Sequence, residues 1–110
     1  MEKYNGWTNY ETWRVNLEIF DGMTCEDIPV LSRYEEASTG EVATYLEEYA
    51  EEIIFDCEGV NRDSLVADYA QVFLNSVNWY EIAEHFVSEW NDLMRSEAEE
   101  EERAQDEQTD

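Results

Sequence analysis

Acidic side chains outnumber basic ones 29 to 6 in this sequence, so any compact form must hold a formal charge of −23 together at neutral pH. Self-repulsion of that size opposes collapse, and only a defined apolar core can offset it. Leu, Ile, Val and Phe supply 23 of the 110 residues, close to the composition below which a highly charged chain stays unfolded. All 23 precede residue 97, and four Trp and seven Tyr add large surfaces that can be buried. The expectation is one small acidic helical domain over residues 1–96, followed by an acidic tail over 97–110 that is either disordered or a frayed extension of the last helix.

The same imbalance excludes direct binding to DNA, RNA or an anionic membrane, and it makes a cationic partner the expected one. No apolar run approaches the roughly 18 residues of a membrane span, and Met1 to Gly6 carries no targeting-type apolar stretch, so a cytosolic location is expected. Cys25 and Cys57 lack any C-x-x-C spacing and are read as reduced, packed thiols.

Apolar periodicity predicts an all-α fold of about four helices. Thr8-Asn9-Tyr10-Glu11 matches a capping box and predicts a first helix that turns Trp13, Leu17 and Phe20 inward until Asp21-Gly22 ends it. Pro29 is expected to open a short helical stretch through Tyr34, with a strand pair near residues 23–31 as the alternative. Ser38-Thr39-Gly40-Glu41 is a second capping box. Behind it Val42, Leu46, Tyr49 and Ile53, with Tyr45, Ala50 and Ile54, form a stripe that Gly59 closes. Asp63 or Ser64 caps a third helix from Leu65 to Ser76, with Leu65, Val66, Tyr69, Val72, Phe73 and Val77 as its apolar positions. Asn78 caps a fourth, whose stripe of Ile82, Phe86, Trp90 and Leu93 dissolves into the acids from Glu99 to Glu102. No two-residue hairpin turn is read in the chain.

Two segments carry a resemblance. Tyr4-Asn5-Gly6-Trp7-Thr8-Asn9-Tyr10-Glu11-Thr12-Trp13 resembles the opening of a family of small phage and prophage proteins. Val77-Asn78-Trp79-Tyr80-Glu81-Ile82-Ala83-Glu84-His85-Phe86 is similar to a second segment of that family, in the same order. The resemblance implies a phage origin and a small helical fold and supplies no catalytic residues; with a phage origin, the cytosolic location expected above is the host cytoplasm. Trp7, Tyr10 and Trp13 could form an aromatic platform, but in a core short of aliphatic residues packing anchors are the better reading. Asn5, Thr8 and Asn9 then satisfy backbone groups at the turn.

Catalytic and metal readings find little support. His85 is the single histidine, near Glu81, Glu84 and Glu89, and neither a zinc set nor a cysteine–histidine pair has organised spacing around it. The acids lack the alternating loop of a calcium site. No enzyme activity, cofactor or metal is therefore expected.

Charge distribution says more. Between Arg33 and Arg62 lie 28 residues with nine acids and no base: Glu35, Glu36, Glu41, Glu47, Glu48, Glu51, Glu52, Asp56 and Glu58. Glu47-Glu51, Glu48-Glu52 and Glu52-Asp56 place like charges one helical turn apart, which costs roughly 0.2–0.5 kcal/mol each where a Glu–Lys pair would stabilise. Residues 1–96 alone hold 21 acids and 5 bases, so the excess belongs to the body as well as the tail. Salt adaptation would also make a surface acidic, but Glu outnumbers Asp 21 to 8 and aromatics are plentiful.

These features lead to an expected function. The chain is read as a non-enzymatic, phage-encoded DNA mimic that occupies the nucleic-acid groove of a basic host defence complex, such as a restriction enzyme or a CRISPR effector. The nine carboxylates are the expected partner-binding residues. The alternative expectation is a phage adaptor that binds a host protein through its aromatic face, with acidity serving solubility. Stoichiometry and homodimer formation are left open by the sequence.

Overall fold

The computed structural model of the chain describes residues 4–32 and 37–108, with side chains up to residue 103. It is all-α. The one strand-like feature among the described residues is an isolated bridge between Tyr4 and Trp7. Asn5 (φ +47°) and Gly6 (φ +89°) form the turn between them, closed by two backbone hydrogen bonds of 2.8 Å. Asn-Gly readily adopts the left-handed pair of conformations such a turn requires, so the sequence does contain a hairpin signal at a position where none was read.

Helix α1 (Tyr10–Val15) passes into a π-helical turn, Asn16–Phe20. Its N-cap is Asn9 rather than Thr8. Asn9 Oδ1 accepts from the Thr12 backbone N–H (2.9 Å) and from Thr12 Oγ1 (2.6 Å). Thr8 is engaged elsewhere: its N–H donates to Glu81 Oε1 (2.8 Å) and its hydroxyl accepts from Asn78 Nδ2 (3.1 Å). This cap rotates Thr12 and Val15 into the core, and the extra residue of the π turn brings Phe20 there as well. Leu17, expected to be buried, is exposed instead, and Trp13 is half-buried.

Gly22 (φ +86°) turns the chain after Asp21. Cys25–Asp27 is a 3-10 turn with its own capping box from Thr24 and Asp27, which replaces the alternative of a strand pair. Pro29 occupies the second position of a turn closed by Leu31 N–H donating to Ile28 C=O (3.1 Å). Its fixed φ serves that turn instead of opening a helix. Tyr34 lies outside the described residues.

Helix α2 (Thr39–Glu51) starts at Ser38, whose Oγ accepts from the Glu41 N–H (3.1 Å), and ends in a second π turn, Glu52–Cys57. Val42, Leu46 and Ala50 are fully buried along it. The π turn then shifts the register, so Phe55 enters the core while Ile53 and Ile54 stay half-buried. Gly59 (φ +70°) closes the element as expected.

Helix α3 (Leu65–Asn75) is capped by Ser64, whose Oγ accepts from the Ala67 N–H (3.1 Å). Of its expected apolar positions, Val77 just beyond the helix is buried and Phe73 packs partly against the core, but the other four are turned away from it. Ala67 and Leu74 are buried and Ala70 and Phe73 pack partly against the core, whereas Leu65, Val66, Tyr69 and Val72 face solvent.

Asn78 Oδ1 accepts from the Glu81 N–H (3.1 Å) at the start of helix α4 (Trp79–Gln108). Ile82, Ala83 and Phe86 are buried on it, and Val87, Trp90 and Leu93 pack around them, as the periodicity predicts. The core lies chiefly between α2 and α4, with Phe20, Cys25, Ile28 and Leu31 covering one side. The helix continues through Gln108, and side chains from Glu99 to Arg103 are exposed. The molecule is elongated, 69 × 33 × 22 Å.

Candidate functional site: the acidic face of α2

Because Val42, Leu46 and Ala50 occupy one face of α2, the carboxylates of the same helix are directed away from the core. Glu41, Glu48 and Glu52, at spacings of seven and four residues, are all exposed on one side, and Glu47 and Glu51 flank them, half-buried. From Glu41 to Glu52 the helix rises roughly 16 Å, with Glu41 about 9 Å before Glu47 and the other four carboxylates within about 8 Å of axis. A single strand of duplex DNA presents one charge per about 3.4 Å.

Among the described residues none of these five meets a cation. Ion pairs join Arg14 to Glu18 (3.0 Å), Arg95 to Asp92 (2.9 Å) and Arg62 to Asp56 (3.2 Å), all on the surface. Partial burial, and then the charges of Glu51 and Glu48, push the Glu47 carboxyl above its ordinary value. Burial first and the neighbouring charges second thus disfavour the ionised form of Glu47.

The remaining expected residues are placed less favourably. Asp56, unpaired in sequence, is paired in space, because the loop after Gly59 carries Arg62 back onto it and over the Phe55 ring, 4.8 Å from the centroid. Glu58 is exposed at the end of the π turn. Glu35 and Glu36 lie outside the described residues. The structure thus gathers Glu41, Glu47, Glu48, Glu51 and Glu52 on one element, with Asp56 and Glu58 at its end.

Tyrosine rings hold the neighbouring face of α2. Tyr45 and Tyr49 are half-buried with ring centroids 6.0 Å apart, and Tyr49 lies 6.0 Å from Phe20. Burial, with the nearby Tyr49 and Glu52, raises the Tyr45 hydroxyl above its usual range, so it stays protonated beside the row.

The groups considered for chemistry are separated. Burial and the adjoining Glu89 push the Cys25 thiol up to about 11, which keeps it protonated at neutral pH. Cys57 is exposed, contrary to its reading as a packed thiol, because it lies at the solvent side of the π turn. The His85 ring rests on Trp7, 4.5 Å between centroids, beside an open cleft of about 220 Å³ bounded by Phe20, Met23 and Glu89. No group of three or more His, Cys, Asp or Glu side chains converges as a metal site among the described residues. Among the described residues no helix is long and apolar enough to cross a membrane.

The two motif segments meet one another. Thr12 Oγ1 accepts from the Asn78 N–H (2.8 Å), and Asn9 Nδ2 donates to the Ser76 carbonyl (2.7 Å). With the Thr8 contacts to Asn78 and Glu81, this ties the start of α1 to the start of α4. Tyr4, Tyr10 and Trp13 cluster beside it with centroids 5.0–5.8 Å apart. Comparison with protein-family models, with curated proteins and with solved structures finds no match.

Proposed function

We propose that the chain is a DNA mimic that inhibits a basic nucleic-acid-binding complex of the host by occupying its groove. The observation that carries this reading is the outward row of Glu41, Glu47, Glu48, Glu51 and Glu52. These carboxylates meet no cation among the described residues, and the four from Glu47 to Glu52 crowd at least as much negative charge along the axis as a DNA strand, about one per 3.4 Å. Like charges at this spacing destabilise a helix, so a folded body that keeps them gains something other than stability. A groove lined with Arg and Lys would attract the row over long range, and once seated the row would exclude phosphates from the same cations. Stiffness helps: carboxylates on a helix packed against α4 are pre-arranged, so little ordering entropy is lost on docking.

The resemblance to small phage proteins supports a setting in which the target is a defence complex, a restriction enzyme or a CRISPR effector. Such a protein acts by binding, without catalysis or cofactor, in the cytoplasm of the host. The experiment is capture from a bacterial lysate on the immobilised chain, followed by elution with excess duplex DNA, and then plasmid-cleavage assays on the captured complex. Elution of a DNA-binding complex by duplex, and protection of the plasmid by the free chain, are the expected results. Binding that neither duplex DNA nor salt releases would assign recognition to the aromatic face and make the chain an adaptor.

A further inference from the structure

The face that α3 turns to solvent is the least expected surface of the molecule. Leu65, Val66, Tyr69 and Val72 are 65%, 63%, 68% and 65% exposed on an 11-residue helix. At about 100° per residue these four fall within one arc, and the half-buried Phe73 lies inside it between Tyr69 and Val66. Asp68, Gln71 and Asn75 form a second arc, and Ala67, Ala70 and Leu74 the buried third. Phe73 links the stripe to Tyr10, 6.3 Å between centroids, and Tyr10 is itself 39% exposed.

Charge is withdrawn from this surface. The seventeen residues from Ser64 to Tyr80 contain one acid, Asp68, and no base, in a chain where 29 of 110 residues are acidic. A cationic partner would be attracted by unpaired acids around the stripe, and here there are few: Asp68 is the one acid on the helix, and Glu18, beside Phe73, is paired with Arg14. The occupant that benefits from their removal is one that is itself strongly acidic. Another copy of this chain has that property and is always present.

We propose that α3 is the contact surface of a homodimer, in which two copies pack their α3 helices about a two-fold axis near Tyr69 and Val72. The spacing of Leu65, Tyr69 and Val72, four residues and then three, is that of a helix seam, and an antiparallel pair sets Tyr69 of each copy against Val72 of the other. The four side chains present on the order of 500 Å², the size of the largest apolar patch on an ordinary monomer. Two such faces bury about 1,000 Å² on contact, the lower bound of a specific interface, and Tyr10 at the edge adds to it. The acidic rows of α2 lie on a different helix, so this proposal stands whether or not they imitate DNA.

Sedimentation equilibrium of the full chain over a dilution series tests it. A mass twice 13.0 kDa is expected near 100 µM, falling toward 13.0 kDa on dilution to about 1 µM, as for a micromolar pair. Tyr69→Gln with Val72→Gln should be monomeric throughout and keep the helical circular dichroism of the parent, and Leu17→Gln, altering an apolar side chain on another element, should dimerise normally. Hydrogen exchange of the unaltered chain is the second measurement. Amides of Leu65–Asn75 should exchange more slowly at high than at low concentration. A monomeric parent chain, a double variant that still dimerises, or α3 exchange independent of concentration would each overturn the proposal. A monomer whose α3 becomes protected only when lysate is added would give the stripe to a foreign protein and overturn it equally.

Discussion

Thr12 is the fully buried polar side chain on which the junction of α1 and α4 turns. Its hydroxyl donates to Asn9 Oδ1 and accepts from the Asn78 N–H, and no buried side-chain polar atom among the described residues lacks a partner. Thr12→Val keeps the shape and deletes both bonds, leaving the part-buried Asn78 N–H without its acceptor, at a cost of about 1–2 kcal/mol. Thermal unfolding should show this as a lower Tm, by roughly 4–8 °C per kcal/mol, with Thr12→Ser much milder. Glu47 argues in the other direction. Its folded-state pKa lies above the ordinary 4.5, so the folded chain binds more protons than the unfolded one across that interval. Stability from this group therefore falls as pH rises through the interval above the ordinary value and is regained as pH falls back through it. Glu47→Gln should raise stability at pH 7 and flatten the dependence in denaturant titrations at pH 5 and 7; an unchanged slope would mean the crowding is relieved by solvent. At this scale the sequence was legible where a side chain caps its own helix, as at Ser38, Ser64 and Asn78. It misled where the partner is far along the chain, because Glu81 and Asn78 draw Thr8 away and leave the cap to Asn9.

At the scale of elements, α2 and α4 were readable because each has one apolar face and one acidic face, so burial had a single solution. Helix α3 has two apolar arcs, and periodicity cannot say which one meets the core. The junction at its C-terminal end, where Asn9 holds the Ser76 carbonyl, fixes the small-residue arc of Ala67 and Ala70 inward. The π turns were equally invisible. Each adds a residue to a turn: Phe55 enters the core while Ile53 and Ile54, which a 3.6 period selects, stay half-buried, and Phe20 is buried as expected while Leu17 of the same expected stripe is exposed. The acidic row was legible because it depends only on α2 being a helix, whereas the Arg62–Asp56 pair depends on the loop that follows. Changing Glu47, Glu48, Glu51 and Glu52 together to Gln should preserve or improve folding, since it removes repulsion at nearly constant helix propensity. Inhibition of the target should fall, along with its association rate and salt dependence. A variant that folds and inhibits like the parent would remove α2 from the interface.

For the molecule as a whole, charge sets the response to salt. Among the described residues the core ends at Leu93, and residues 97–110 hold no large apolar side chain, so the last part of α4 adds acids, those from Glu99 to Glu102 exposed, without large apolar packing. Removal of residues 97–110 should leave cooperative unfolding intact with a loss of helical signal confined to that stretch. Ordinary proteins balance screened repulsion against screened ion pairs, but here a net charge of −23 faces a few exposed pairs, such as Arg14–Glu18 and Arg95–Asp92, worth little each. The Debye length shrinks to about 10 Å at 0.1 M salt, shorter than the 22 Å thickness of the molecule, so repulsion across the body is lost first and contacts within a turn last. The Tm of the full chain should rise steadily from low salt to about 0.3 M in differential scanning calorimetry, and association of two copies through α3 should tighten over the same range. The truncated chain, with eight fewer acids and one fewer Arg, should show a smaller rise. A Tm that falls with salt in both chains would mean that local ion pairs outweigh the net charge and that the acidic surface is not the strained feature the geometry of α2 implies.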